Sequence, residues 1–321
     1  MAPLTRAPRA AGLVLSPDDG VGLAVRAVVR FHLRTFVREE TGARAGALEP
    51  VHQLRVATRR LRATLHLFRP VLPATLVRGV RDDLAWLAAA IGAVRDLDVL
   101  AELAATCGRR LDGDSRHALA PLGPAIRDRH VAAQAALVVA LDSLRCRRLL
   151  GRLTAFADSA VPAGQPKLGE VVPALVLPML RAVLRSGRRV RADAPAAAQH
   201  RLRVRVKRLR YALETLEGLG GSGMRKARRR LVRIQDLLGC HQDAVTGVAW
   251  LRQYALTAGL PPATLLAVGG LMHAFDRRAR KTGRAFPERW ARLERPLRGM
   301  VATEFASGRR RGPRAMPAAA S

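Results

Sequence analysis

A basic helical segment occurs twice in this chain, and this repeat constrains the fold more than any other feature of the sequence. The first copy is VHQLRVATRRLRATLHLF at residues 51–68, and the second is QHRLRVRVKRLRYALETL at residues 199–216. The copies align without gaps, so that His200 follows His52 by 148 residues. The match predicts two related halves with the same local structure, produced by an internal duplication.

Each copy has the pattern of an amphipathic α-helix. The basic positions of the first copy fall within roughly 80° of one another, at about 100° per residue: His52, Arg55, Arg59 and Arg62. Its apolar positions recur at spacings of three and four on the opposite side: Leu54, Thr58, Leu61, Leu65 and Phe68. The second copy repeats the apolar pattern with Leu202, Val206, Leu209, Leu213 and Leu216. We expect each helix to bury the apolar face and to present a cationic one.

The rest of the sequence also predicts helices, because no segment alternates with period two for long enough to form a strand. The predicted fold class is therefore all-α. Gly and Pro positions divide the chain into a disordered N-terminal tail, a first helical bundle, a linker, a second helical bundle, and a C-terminal extension with a basic tail. These segments are residues 1–15, 16–158, 159–166, 167–285 and 286–321.

Local signals predict several helix ends. Ser-Pro-Asp-Asp predicts the start of a helix over residues 16–40. Gly92 predicts a break in the helix that follows the first basic copy, and Gly239 predicts the same break in the second half. Residues 112–123 are predicted to form a turn, and the last regular helix is expected over residues 262–281.

The charge of the chain indicates an anionic partner. Lysine and arginine number 56 against 25 acidic residues, which gives a formal net charge of +31. A surplus of this size favours nucleic acid, a membrane surface or another polyanion as partner. Solvated helix faces usually mix charges, whereas residues 52–69 contain no acid. The densest basic run, at residues 225–233, has a weaker counterpart in the first half, which predicts an asymmetric groove.

The candidate anion-binding residues are the basic positions of both copies together with two arginines of the 225–233 run. They are His52, Arg55, Arg59, Arg60, Arg62, His200, Arg203, Lys207, Arg208, Arg210, Arg230 and Arg233. Guanidinium groups bind phosphate oxygens bidentately, and imidazole donates to them. The alternatives are a solvated face for the arginines, ion pairing for Arg60 and Arg208, and a structural role for the two histidines.

The sequence contains no catalytic constellation. Asp96 and Asp243 follow the predicted helix breaks, so we interpret them as caps or as partners that orient arginines, rather than as catalytic or magnesium-binding groups. The GxGxxG at residues 218–223 follows a helix and is interpreted as a turn. Three cysteines without a CxxC pair, and histidines without a zinc spacing, predict neither a disulfide framework nor a metal site. No cofactor is expected.

Hydropathy predicts a soluble cytoplasmic protein with no membrane partner. The apolar stretch at residues 10–15 is too short for a signal peptide. The longest uncharged stretch, at residues 260–275, contains two prolines and two glycines and is shorter than a membrane span.

Four segments, VHQLRVATRRLR, IGAVRDLDVL, HRLRVRVKRLR and LLGCHQDAV, together resemble the CHAD family, the conserved histidine α-helical domain. The resemblance covers about residues 16–285. It implies two four-helix bundles related by a pseudo-twofold axis, with basic helix faces that meet at a central groove or pore. It also implies binding of inorganic polyphosphate by the candidate residues of both copies, and association with polyphosphate granules.

The leading hypothesis is therefore non-catalytic polyphosphate binding, with granule proteins as further partners. The first alternative is nucleic-acid binding, although aromatic residues, at 4%, are few for stacking on bases. The second is an enzyme that acts on polyphosphate or a triphosphate. Some relatives carry a CYTH triphosphatase, but this sequence has no ExExK motif, so we expect no phosphohydrolase activity.

Overall fold

A computed structural model describes residues 13–190 and 194–303 of the chain. Across these ranges the backbone forms helices and turns, and the only β-type contact is an isolated bridge between Gly20 and Lys167. The all-α prediction is confirmed. The helices are α1 (Val21–Arg44), α2 (Leu48–Leu67), α3 (Ala74–Gly108), α4 (Gly113–Ala118), α5 (Leu122–Asp142), α6 (Leu144–Asp158), α7 (Leu168–Arg189), α8 (Ala196–Thr215), α9 (Ser222–Thr257) and α10 (Pro262–Thr303).

Three helices follow one another in the same order in each half. Helices α1, α2 and α3 contain 24, 20 and 35 residues, and α7, α8 and α9 contain 22, 20 and 36. A 3₁₀ turn separates the second helix from the third in both cases, at Arg69–Val71 and at Glu217–Leu219. We interpret this shared order as the result of a duplication, which stays a prediction from the sequence. The pseudo-twofold relation between the halves also stays a prediction.

The predicted breaks at Gly92 and Gly239 are wrong, because α3 and α9 each continue through the glycine as one long helix. A glycine within a helix costs only about 1 kcal/mol relative to alanine. Around Gly92 the side chains of Leu87, Ile91 and Val94 are at most 1% exposed, and their burial outweighs that cost. Neither glycine has the positive φ angle that would end a helix. In the described chain such angles occur at Gly46, Gly164 and Gly259.

Other helix ends also differ from the predictions. The first helix starts at Val21 because Ser16 and Asp19 close a turn on each other, with the Ser16 N–H donating to Asp19 Oδ2 at 2.7 Å. The predicted turn at 112–123 contains the short helix α4, whose N-terminus is capped by Asp112 through a 2.8 Å bond from the Ser115 N–H.

The last helix does not end near residue 281 but continues to Thr303, past the division predicted at residue 285. It includes Pro287 and Pro296. Phe286 and Trp290, at 2% and 6% exposure, anchor this second part of α10 in the main core. The predicted tails lie outside the described residues over 1–12 and 304–321. Leu15, predicted to belong to the disordered N-terminal tail, is 5% exposed and packs in the main core.

The apolar faces of both basic helices are buried as predicted. Leu54, Leu61, Leu202 and Leu209 are fully buried in the larger hydrophobic core, with side chains of α1, α3, α7, α9 and α10. A smaller core is built from the ends of α3 and α9, the start of α5 and the first part of α10, and includes Phe275. Each core draws on both halves of the sequence, and the division into two bundles at residues 159–166 stays a prediction.

Candidate anion-binding site

The structure brings cationic side chains of α2 and α8 together where these two helices pack against each other. We call this group the inner cluster, and it consists of Arg55, Arg59, Arg203, Lys207 and Arg210. Each member lies close enough to another for its charge to perturb the neighbour's pKa. The basic faces predicted from the two sequence copies therefore meet at one site.

Several donors of the inner cluster are buried without a partner. The Nε–H groups of Arg59, Arg203 and Arg210 are inaccessible to solvent and make no hydrogen bond within the described part of the chain. Buried polar groups are nearly always hydrogen-bonded in native proteins, and each exception requires an explanation. The three donors lie on the neighbouring guanidinium groups of α2 and α8.

A buried tyrosine lies between two of these arginines. The ring centroid of Tyr211 is 4.5 Å from the guanidinium carbon of Arg210 and 6.0 Å from that of Arg59. The ring is 6% exposed and offers both cations its π-face. Tyr211 could not be found from the repeat, because the corresponding residue of the first copy is Ala63.

Two carboxylates, one on α3 and one on α9, act on the arginines of the inner cluster. Asp96 Oδ1 is 3.1 Å from Arg55 Nη2. Burial raises the pKa of Asp243, while the charge of Arg203 lowers it and that of Asp96 raises it. The ion pair of Asp96 agrees with its predicted role as a partner of an arginine, whereas this role stays a prediction for Asp243. The alternative role as helix caps is wrong, since both residues lie within continuous helices.

Glu214 neutralises the edge of the site. It accepts from Arg210 at 2.9 Å and lies 3.7 Å from Arg60, and all three side chains are at most 15% exposed. The ion-pair alternative for Arg60 is therefore the one that the structure supports. Arg60 also contributes, after burial, to lowering the pKa of the buried His32 to about 3.

The remaining repeat residues surround the inner cluster or lie outside it. His52 is half-buried, and burial, followed by the charge of Arg95, lowers its pKa. His200 is exposed, and its Nδ1 is 3.1 Å from Gln242 Oε1. Arg62 and Arg208 are exposed and close enough for Arg208 to lower the pKa of Arg62 after burial. These two arginines add positive charge beside the buried group.

The two arginines of the 225–233 run differ in their surroundings. Arg230 donates from Nη1 to the carbonyl oxygen of Arg292 at 2.6 Å, so it helps to hold α10 against α9. Arg233 is exposed on α9. A contact of either residue with an anion stays a prediction.

A glycine makes room for one arginine of the inner cluster. A Cβ atom at Gly92 would lie 3.0 Å from Nη1 of Arg55, closer than nearly all real Cβ contacts. The absence of a side chain at Gly92 leaves room for the guanidinium group of Arg55, which pairs with Asp96. The corresponding Gly239 has open space around the same position, so the two halves differ here.

The described part of the chain contains neither a cluster of metal ligands nor a disulfide. No group of three or more His, Cys, Asp or Glu side chains within 13–190 and 194–303 is placed to hold a metal ion. Cys107, Cys146 and Cys240 are free thiols. Among the helices that the structure describes, none combines the length and the hydropathy needed to cross a bilayer.

Comparisons with known proteins find one family and one fold. The CHAD domain model matches residues 27–252. The crystal structure of the CHAD domain from the plant Ricinus communis is 29% identical, with a TM-score of 0.74 over 92% of this chain and 97% of that one. PptA from Streptomyces chartreusis has the same fold at 22% identity, with a TM-score of 0.69 over 85% of this chain and 100% of that one.

Two uncharacterized proteins of Mycobacterium tuberculosis are 29% identical in an alignment of 231 residues that covers 68% of this chain. The matched region is 43% of their length, so they are considerably longer than the part that this chain resembles.

Proposed function

The chain belongs to the CHAD domain family, and on this premise we propose that it binds inorganic polyphosphate through the inner cluster, without catalysing a reaction. The observation that carries the proposal is the set of buried, unpartnered Nε–H donors on Arg59, Arg203 and Arg210. Phosphate oxygens are strong acceptors for such donors. A linear polyanion can contact several of them at once.

The chemistry of the site fits a phosphate chain better than a nucleic acid. Polyphosphate has no bases, so closely spaced cations are sufficient for its recognition. Single-stranded nucleic acids are usually held by stacking on accessible aromatic rings. The aromatic ring of this site, Tyr211, is 6% exposed and already occupied by two arginines.

The proposal excludes catalysis by the acids of the site. Asp96 is paired with Arg55, and Asp243 interacts electrostatically with Arg203, so we assign both carboxylates to orienting arginines rather than to activating water. We expect no release of orthophosphate from polyphosphate with Mg²⁺ or Mn²⁺ present. Release that disappears in Asp96→Asn or Asp243→Asn would contradict this part of the proposal. Association with polyphosphate granules would follow from binding and needs no further site.

Titration of the protein with long-chain polyphosphate at several salt concentrations tests the proposed function. Each phosphate contact contributes about −0.7 to the slope of log K against log salt concentration, so five contacts give roughly −3.5. Competition with duplex DNA at equal phosphate concentration then separates the two classes of ligand. Displacement of polyphosphate by DNA would favour nucleic-acid binding. A salt slope near zero would show that the inner cluster does not bind the phosphate chain.

Replacement of Gly92 by alanine should weaken polyphosphate binding severalfold without lowering stability. The new Cβ would force the guanidinium group of Arg55, which pairs with Asp96, to shift by a few tenths of an ångström, whereas alanine is the better helix former. Gly239→Ala is the matched control, because its Cβ has no atom within 4 Å. Equal affinities of the two variants, measured beside thermal unfolding, would show that the position of Arg55 does not matter.

A further inference from the structure

The C-terminal end of α8 carries two acids that neutralise arginines. Glu214 accepts from Arg210 at 2.9 Å and lies 3.7 Å from Arg60. Just beyond the end of the helix, Glu217 Oε1 is 3.0 Å from Nη2 of Arg228. Negative charges at the C-terminal end of a helix oppose the helix dipole, so these acids do not stabilise α8 by their position. They pair with arginines instead, and we call Glu214 and Glu217 the acidic edge of the inner cluster.

The first copy has basic residues where the second copy has these acids. At the repeat offset of 148 residues, His66 occupies the position of Glu214, and Arg69 occupies that of Glu217. Arg62 lies one turn before His66 on α2. Together with an arginine of α8, these residues form a group that we call the basic edge: Arg62, His66, Arg69 and Arg208.

Two corresponding contacts between α2 and α8 differ in the charge of one partner. Arg60 of α2 lies 3.7 Å from Glu214 of α8. The corresponding Arg208 of α8 lies close to His66 of α2. Partial burial lowers the pKa of His66, and the charges of Arg208 and Arg69 lower it further. Arg208 therefore has cations around it at the place where Arg60 has a carboxylate.

The basic edge is available to an external anion. All of its residues are exposed, and within residues 13–190 and 194–303 none of their side chains makes a hydrogen bond or an ion pair. Arg62 follows Arg59 by one turn of α2, so the basic edge begins beside the inner cluster. From Arg55 to Arg69 the cations extend over about 21 Å, at about 1.5 Å per residue. Tripolyphosphate is shorter than this distance, whereas a long chain can cover all of it.

The dense basic run at residues 225–233 offers a rival path with more cations. Three of its arginines already have partners: Arg225 donates to the carbonyl oxygen of Gly220 at 3.2 Å, Arg228 pairs with Glu217 at 3.0 Å, and Arg230 donates to the carbonyl oxygen of Arg292 at 2.6 Å. An anion on this path would also meet the carboxylates of the acidic edge. The number of cations favours the run, but the existing partners and the two acids favour the basic edge.

We propose that a phosphate chain bound in the inner cluster continues over the basic edge and not past the acidic edge, so that long chains gain contacts that tripolyphosphate cannot make. The inference rests on the proposed binding of polyphosphate. A chain that leaves the cluster beside Arg62 next meets unpaired cations, which donate to phosphate oxygens. A chain that left past Glu214 and Glu217 would be repelled by both carboxylates.

Calorimetric titration of each variant with tripolyphosphate and with long-chain polyphosphate separates the basic edge from the inner cluster. Arg62→Gln/Arg69→Gln should weaken binding of the long chain by roughly tenfold relative to the wild type. The slope of log K against log salt concentration should become shallower by about 1.4, because each lost phosphate contact removes about 0.7. Binding of tripolyphosphate should stay at the wild-type value, because the inner cluster is unchanged.

Lys226→Gln/Arg229→Gln is the matched control, because it removes two exposed cations from the rival path on α9. It should bind both ligands as the wild type does. If the two double variants lose long-chain affinity equally, net charge rather than the basic edge determines the effect. A loss in the control variant alone would show that the chain follows the 225–233 run, and either result overturns the proposed path.

His66→Glu/Arg69→Glu provides a second variant, which gives the basic edge the acids of the second copy. It should bind the long chain more weakly than Arg62→Gln/Arg69→Gln does, and thermal unfolding measured beside it shows that the variant is folded. Long-chain binding at the wild-type affinity in this variant overturns the path alone. If the wild-type protein binds neither tripolyphosphate nor the long chain, the proposed function fails, and the path with it.

Discussion

Replacement of Arg59 and Arg203 by glutamine in one variant should weaken binding of long-chain polyphosphate by roughly 10² to 10⁴-fold. Both side chains are partly buried in the inner cluster, and each has a buried Nε–H without a partner. Hydrogen bonds to charged groups contribute about 1.5–3 kcal/mol each, and about 1.4 kcal/mol corresponds to tenfold in affinity. Folding should not suffer, because the change removes repulsion between buried cations.

The control for this variant is a second double substitution that removes the same formal charge from exposed positions. Arg38 and Arg81 have side chains 68% and 71% exposed, and each pairs only with a neighbouring acid along its own helix. Arg38→Gln/Arg81→Gln should bind within a few fold of wild type, since exposed pairs contribute little. If both double variants lose affinity equally, net charge rather than the inner cluster determines binding.

Gly187→Ala should destabilise the protein by about 3 kcal/mol, the upper part of the range for overpacked cores. A Cβ atom at Gly187 of α7 would lie 2.0 Å from two ring atoms of Trp290. The indole of Trp290 is 6% exposed and belongs to the larger core, so it has no free space into which to move. Urea unfolding of the variant measures the change in free energy.

Gly151→Ala is the control for this substitution. Gly151 also lies within a helix, α6, but its Cβ would have no atom within 4 Å. Alanine there should raise the stability by about 0.5–1 kcal/mol through helix propensity. If Gly187→Ala is as stable as Gly151→Ala, the second part of α10 is not held against α7 by Trp290.

The helical pattern of the sequence was sufficient to predict which faces of α2 and α8 are buried. Leu54 and Leu202 mark faces with a period of 3.6 residues, and this period depends only on local geometry. Helix breaks were less predictable, because the propensity of Gly92 and Gly239 to end a helix is overcome by packing of distant residues. The unbroken extension of α10 depends on the burial of Trp290, which sequence period alone does not reveal.

The candidate site could be predicted in its charges but not in its contacts. The two copies of the basic helix identified the arginines because a repeated cationic face is visible in the sequence. The position of Tyr211 between Arg59 and Arg210 depends on how α2 packs on α8. The ion pair of Glu214 with Arg60 also depends on how α2 packs on α8. The burial that lowers the pKa of Lys207 depends on the same packing.

A crystal structure of the protein with a short polyphosphate tests the central claim most directly. The account predicts phosphate groups within hydrogen-bond distance of the Nε–H donors of Arg59, Arg203 and Arg210. It also predicts an ion pair between the chain and Lys207. Phosphate density confined to the outer basic run at residues 225–233, with the buried donors of the inner cluster still unpartnered, would contradict it.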